Sequence, residues 1–174
     1  MNDTESRREE DFFTYACKPE SICALLPEVK AAFSLAAQAY FCATGQKPQV
    51  NSAWRSLRHC AELMAEFSQE QLEAMYCRNG RPDYIQSIAE ARQKTGEKLS
   101  SEQVYRILQQ RQQGYISWHL LGAAVDIAKT GLKDPELLCK LLQQHNFSVF
   151  DEEALGIACI HAAYKGLEPR VVRQ

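Results

Sequence analysis

Apolar residues recur at spacings of three and four in several segments of the chain, which is typical of helices with one buried face. The longest such segment is predicted to run from Pro27 to about Thr44, and Gly45 ends it. A second helix is predicted from about Ser56 to Phe67. A third begins after Asp134-Pro135, which pairs an N-cap residue with proline in the first turn, and reaches about His145.

The middle third of the chain is polar and carries repeated helix start and stop signals. Ser68-x-x-Gln71 and Ser100-x-x-Gln103 are capping-box patterns, and Pro82 opens a helix that Gly96 closes. These signals predict a helical insertion at about residues 68–113.

Strand patterns are short and lie outside that insertion. Residues 48–54 and Ala123 to Ala128 each predict one strand. Phe147 to Asp151, a turn at 152–156 and Ile157 to Tyr164 predict a hairpin. The expected fold class is therefore α+β, with a small antiparallel sheet flanked by helices. We expect a single domain over 12–174, preceded by a polar and disordered segment at 1–11.

Composition narrows the class of protein. Of 174 residues, 45% are hydrophobic and 24% charged, the net charge is −2, and both signs are interspersed. This balance argues against nucleic acid or a membrane surface as the main partner and leaves the oligomeric state open. The seven cysteines form no Cys-x-x-Cys pair, which favours free thiols in a reducing compartment. Because the first residues are acidic and polar, we expect no secretory signal peptide and a cytoplasmic protein as synthesised.

The segment with the strongest indication of a functional site is Ser117-Trp118-His119-Leu120-Leu121-Gly122-Ala123-Ala124-Val125-Asp126. On a straight helix His119 and Asp126 would be roughly 10 Å apart, which is too far for two ligands of one metal. On a straight strand they would point to opposite faces. If the two act together, the backbone must fold between them, and Gly122 permits that. We therefore predict an exposed turn carrying His119 that enters a buried strand carrying Asp126.

Three segments resemble one enzyme family, the hedgehog-like LAS zinc metallopeptidases. Its members include D,D-carboxypeptidases, D-Ala-D-Ala dipeptidases and phage L-alanyl-D-glutamate endolysins. Residues 117–126 match the family pattern Ser-x-His-x-x-Gly-x-Ala-x-Asp, and residues 50–56, Val-Asn-Ser-Ala-Trp-Arg-Ser, are similar to its Ser-Gly-Tyr-Arg-Ser segment. Cys159-Ile160-His161 lies where the family places its C-terminal ligand histidine.

The resemblance implies a hedgehog/D-Ala-D-Ala peptidase-like fold in which His119, Asp126 and His161 bind one zinc ion (Zn2+) and leave a fourth position to water. It further implies that Arg55 binds the substrate carboxylate, while Ser117 either hydrogen-bonds substrate or orients the turn. The implied activity is hydrolysis of a peptide bond adjacent to a D-amino acid. The substrate would be a peptidoglycan-type peptide or a D-Ala-D-Ala-like dipeptide, cut by a carboxypeptidase, dipeptidase or cell-wall endopeptidase.

The chain departs from the family at the general base. The peptidases carry Glu-x-x-His at the last ligand, and the position of that glutamate is Ala158 here. Glu153, further upstream, remains the candidate base. An alternative is a zinc-binding but catalytically inactive binding or structural module of the same fold. Because cell-wall substrates lie outside the membrane, a cytoplasmic dipeptidase, a phage lysin and an effector exported without a signal all stay open. His59 and His145 are expected to be structural.

Overall fold

The computed structural model describes residues 12–77, 80–112 and 116–167. The predicted disordered segment 1–11 lies outside them. The chain forms two compact units. The first combines the described residues up to Trp54 with those from Leu121 onward, and the second runs from Arg55 to Leu120.

The first unit contains a five-stranded sheet, which confirms the predicted α+β class with a small sheet flanked by helices. The strand order is β1-β2-β3-β5-β4, and all neighbours are antiparallel except β1 and β2. The strands are β1 (Thr14–Tyr15), β2 (Gln49–Ser52), β3 (Ala124–Ala128), β4 (Phe147–Asp151) and β5 (Cys159–Tyr164). The predicted hairpin is confirmed as β4 and β5.

The helices of the described residues follow the sequence signals closely. They are α1 (Pro19–Cys23), α2 (Pro27–Thr44), α3 (Leu57–Glu66), α4 (Gln69–Tyr76), α5 (Asp83–Thr95), α6 (Ser101–Gln110) and α7 (Pro135–Gln144). Gly45 ends α2 in the left-handed region, at φ +69°. The Asp134 side chain caps α7 by accepting a hydrogen bond from the Leu137 amide. The short elements β1 and α1 were not predicted from the sequence.

The two faces of the sheet differ in character. Strand alternation puts Val50, Val125, Ile127 and Ile160 on one face, where all four are fully buried. Helix α7 packs against β4 and against α2 in this unit. The opposite face carries Asp126 and His161, which are opposite each other in the register of β3 and β5. The pair of Asp126 and His161 thus lies on the face opposite these aliphatic residues.

The second unit is helical and has its own hydrophobic core. Both predicted capping boxes are present, with Ser68 and Ser100 accepting from the amides of Gln71 and Gln103. The apolar faces of α3 to α6 meet in one buried cluster, whose largest members include Leu57, Met64, Leu72, Ile85, Ile88 and Leu108. The predicted insertion at 68–113 falls within this unit, which spans residues 55–120.

The cysteines and the lengths of the helices are two further features of this fold. All seven cysteines are free thiols, as their spacing predicted. Within the described ranges, every helix is too short or too polar to cross a membrane.

Candidate metal centre

His119 lies on a 3-10 helix, Trp118–Leu121, through which the chain passes toward β3. The hydroxyl of Ser117 starts this turn by accepting a hydrogen bond from the His119 amide at 3.3 Å. The Leu120 amide donates to the Ser117 carbonyl at 3.1 Å. The predicted exposed turn is wrong, because His119 is only 2% exposed. The turn leads directly into a central strand, and its apolar residues Leu120 and Leu121 are buried with it.

Gly122 connects this turn to β3 in a left-handed conformation, at φ +67°. A Cβ atom at this position would lie 2.4 Å from the carbonyl oxygen of Ala24. The Gly122 carbonyl also accepts a hydrogen bond from the Leu26 amide at 3.0 Å. The prediction that glycine lets the backbone fold between His119 and Asp126 is confirmed, and the close approach to the α1–α2 connection is a second reason for glycine.

Asp126 and His161 form a cross-strand pair at the centre of the sheet. They are Cα partners in the antiparallel register of β3 and β5. Nδ1 of His161 lies 2.8 Å from Oδ1 of Asp126, and the two side chains are 23% and 14% exposed respectively. The predicted strand contains Asp126 and the predicted hairpin contains His161, but the sequence did not predict the contact between their side chains. The register that aligns them joins residues 35 positions apart.

The structure brings together the three predicted ligands. His119, Asp126 and His161 each offer one ligand atom, and these atoms all lie within 4.8 Å of one another. Ligand atoms around tetrahedral zinc lie about 3.4 Å apart, so small adjustments of the side chains would suffice. Two imidazole nitrogens and one carboxylate oxygen are donors that zinc accepts readily. The group could therefore hold a metal ion.

Within the described ranges, the metal-ligand group has three protein members. A structural zinc site uses four protein ligands, whereas a catalytic site keeps one position for water or substrate. The donor set therefore fits an open site better than a closed structural one.

The segment that carries Arg55 reaches the same region of the fold. Ser52, at the end of β2, is the Cα partner of Asp126. Three residues later, the Arg55 amide donates to the carbonyl of His119 at 3.3 Å. The Arg55 side chain is half-buried. The two motif segments, 50–56 and 117–126, thus lie side by side in the backbone.

Glu153 is placed differently from the three ligand residues. It lies in a 3-10 turn, Glu152–Leu155, after β4, and its side chain is 68% exposed. Its carboxylate accepts a hydrogen bond from the Lys129 ammonium group, which also donates to Asp151 at 2.5 Å. Hydrogen bonds to Asp151 and Glu153 raise the pKa of Lys129, and Lys129 in turn lowers the pKa of Asp151. Glu153 is not a member of the ligand group.

Ala158, at the position of the peptidase glutamate, is exposed and directly precedes β5. Its carbonyl accepts a hydrogen bond from the Lys129 amide at 3.0 Å, which extends the ladder between β3 and β5 by one step. The role of Glu153 as a base therefore stays a prediction without support from its position.

Comparisons with known proteins give no match: no family model matches the chain, and no curated protein or solved structure is significantly similar to it. The function proposed below therefore rests on the geometry of the site and on the residues that carry the resemblance.

Proposed function

We propose that this protein is a zinc-dependent hydrolase that cleaves a peptide bond adjacent to a D-amino acid. The substrate class is a peptidoglycan-type peptide or a D-Ala-D-Ala-like dipeptide. One observation carries the proposal: His119, Asp126 and His161 converge to within 4.8 Å in the order and spacing of the peptidase motif. When bound, zinc supplies an activated water and polarises a carbonyl group.

The residues of the chain prepare the ligand group before any ion binds. The strand register aligns Asp126 with His161, and their 2.8 Å contact holds the imidazole and the carboxylate close to one point. Ser117 fixes the turn that presents His119. Burial of His119 and partial burial of the other two reduce competition from bulk water. Little side-chain entropy remains to be lost when an ion binds.

Arg55 is the proposed carboxylate-binding residue. A guanidinium group offers two parallel N–H donors to one carboxylate, which an ammonium group cannot do. The backbone of Arg55 is hydrogen-bonded to His119, so its position is tied to the turn that presents a ligand. This supports recognition of substrates with a free C-terminal carboxylate.

The test combines metal analysis with hydrolysis assays. The purified protein is expected to contain one zinc per chain and to release D-alanine or a dipeptide from peptides ending in D-Ala-D-Ala. Peptides with L-Ala-L-Ala ends and C-terminally amidated peptides are the substrate controls. His119→Ala should lose zinc and activity, whereas Arg55→Lys should keep zinc and raise KM by about 10-fold. Lack of stoichiometric zinc at neutral pH would overturn the proposal.

A second candidate is a zinc-binding module that recognises such peptides without cleaving them. Two observations favour it: Ala158 replaces the glutamate, and Lys129 binds the carboxylate of Glu153. Stoichiometric zinc together with peptide binding, but no hydrolysis of any cell-wall peptide, would select this candidate over the enzyme.

A further inference from the structure

Asp151 is the last residue of β4 and is followed by Glu152 and Glu153, and the strand indicates the directions of the Asp151 and Glu152 side chains. Phe150 is the Cα partner of His161, so it lies on the face of the sheet that carries His161 and Asp126. Asp151 lies on the opposite face, because side chains alternate along a strand. The backbone of Asp151 is still extended, at φ −85° and ψ 114°. The next side chain, Glu152, therefore leaves the chain on the face of the metal ligands.

Lys129 forms ion pairs with the two acidic residues on either side of Glu152, Asp151 and Glu153. Its amide continues the ladder of β3, and by alternation Lys129 shares the face of Val125 and Ile127. It binds the carboxylates of both Asp151 and Glu153. Burial and the charge of Asp151 raise the pKa of the Cys139 thiol on α7, in agreement with a position of Asp151 on the helix-covered face. Lys129 thus holds Asp151 and Glu153 on the side of the sheet away from the metal ligands.

Glu152 differs from its two neighbours in burial as well as direction. It is half-buried, whereas Asp151 and Glu153 are exposed. Phe150 is directly opposite His161, and Glu152 follows two residues later, directly after the last paired residue of β4, so that it continues the diagonal from His161 at the start of the turn. Diagonal neighbours lie about 7–8 Å apart, which long side chains can span. The 3-10 turn that begins at Glu152 also packs against β5.

We infer that Glu152 is the general base of the proposed hydrolase, a role for which the sequence suggested Glu153. This inference rests on the proposed function. In the reaction, the Glu152 carboxylate accepts a proton from the attacking water as the water oxygen bonds to the scissile carbonyl carbon. It then gives that proton to the departing amine nitrogen as the C–N bond breaks. One water is consumed, and a carboxylic acid and an amine are formed.

The variants Glu152→Gln and Glu153→Gln provide a matched pair, since each removes one negative charge with little change in shape. Glu152→Gln should keep one zinc per chain and lower kcat by at least about 100-fold, in the range that general bases contribute. Glu153→Gln should stay within about threefold of the wild type. Glu152→Asp should retain intermediate activity, which guards against a merely structural loss. Loss of activity in Glu153→Gln but not in Glu152→Gln would overturn the inference.

A second measurement does not depend on turnover. With Co2+ in place of zinc, the visible spectrum reports the surroundings of the metal. Glu152→Gln should change the position or intensity of its bands, and Glu153→Gln should leave them as in the wild type. If the wild type hydrolyses nothing, the proposed function fails, and the Co2+ spectra still decide where Glu152 lies. Identical spectra in all three proteins would overturn the inference in either case.

Discussion

Asp126 and His161 are opposite each other on adjacent antiparallel strands, and Oδ1 of Asp126 lies 2.8 Å from Nδ1 of His161. Both residues also belong to the potential ligand group that includes His119. The contact therefore holds two donors close to one point before a metal arrives. Because folding brings these donors together, a cation that binds them stabilises the folded chain, and metal affinity and folding stability are linked.

Zinc should stabilise the protein against heat through this group. At a free zinc concentration of about 100 times Kd, binding contributes about 2.7 kcal/mol, or about 5–10 °C in Tm for a chain of this size. Asp126→Asn keeps the shape but removes the anionic ligand, and should abolish most of the shift. Thermal unfolding with zinc and with a chelator measures it. His59→Ala, on an exposed helix position, is the control and should keep the full shift. An undiminished shift in Asp126→Asn would exclude this site as the zinc site.

Gly122→Ala should destabilise the fold more than other glycine substitutions. The new Cβ would approach the Ala24 carbonyl oxygen to 2.4 Å at a positive φ. Left-handed strain and overpacking together predict a loss of about 2–4 kcal/mol in the free energy of unfolding. Gly131→Ala is the matched control, because Gly131 also has a positive φ, but a Cβ atom added there would have nothing within 4 Å.

Chemical denaturation of the metal-free proteins compares these two variants. Gly131→Ala should lose only about 1 kcal/mol, the cost of the backbone conformation. Equal losses in both variants would mean that the approach to Ala24 does not matter.

Ser117→Ala should act on the metal rather than on the substrate. The hydroxyl accepts a hydrogen bond from the His119 amide, so its loss should cost about 1 kcal/mol and loosen the turn. Zinc affinity should fall by about 10-fold, as it does when residues that orient ligands are changed. Ser117→Thr, which retains the hydroxyl, is the control. A rise in KM with unchanged zinc affinity would instead support direct contact of Ser117 with substrate.

The ion pairs of Lys129 should give a pH-dependent contribution to stability. Because Lys129 lowers the pKa of Asp151 in the folded protein, the folded state binds fewer protons than the unfolded state. The contribution is complete above the unfolded pKa of about 3.9 and is lost as the pH falls through the folded pKa. Lys129→Met should therefore lower Tm at pH 7, by about 1–3 °C, and by less at pH 3.

Lys140→Met is the control for this experiment, since it removes the same charge from an exposed position on α7. Its effect on Tm should be near zero at both pH values. A Lys129→Met deficit that is equal at pH 7 and pH 3 would show that the ion pairs do not contribute.

Local signals in the sequence determined much of the secondary structure. Pro27 and Gly45 bound α2 because proline fits the first helical turn and glycine adopts the left-handed region. The two Ser-x-x-Gln patterns form capping boxes, since every hydrogen bond in them joins residues three positions apart. The order of the motif residues likewise predicted the group that the structure brings together, His119, Asp126 and His161.

Only the tertiary structure decided how the candidate site is arranged. The register that aligns Asp126 with His161 depends on pairing between distant strands and on burial of their apolar face. His119 is buried because its turn leads into a central strand, which no local pattern reveals. Lys129 binds the carboxylates of Asp151 and Glu153 across 22 and 24 positions, through contacts that no local pattern reveals. The sequence determined the ligand types and the helix ends, whereas long-range packing decided which side chains share one face.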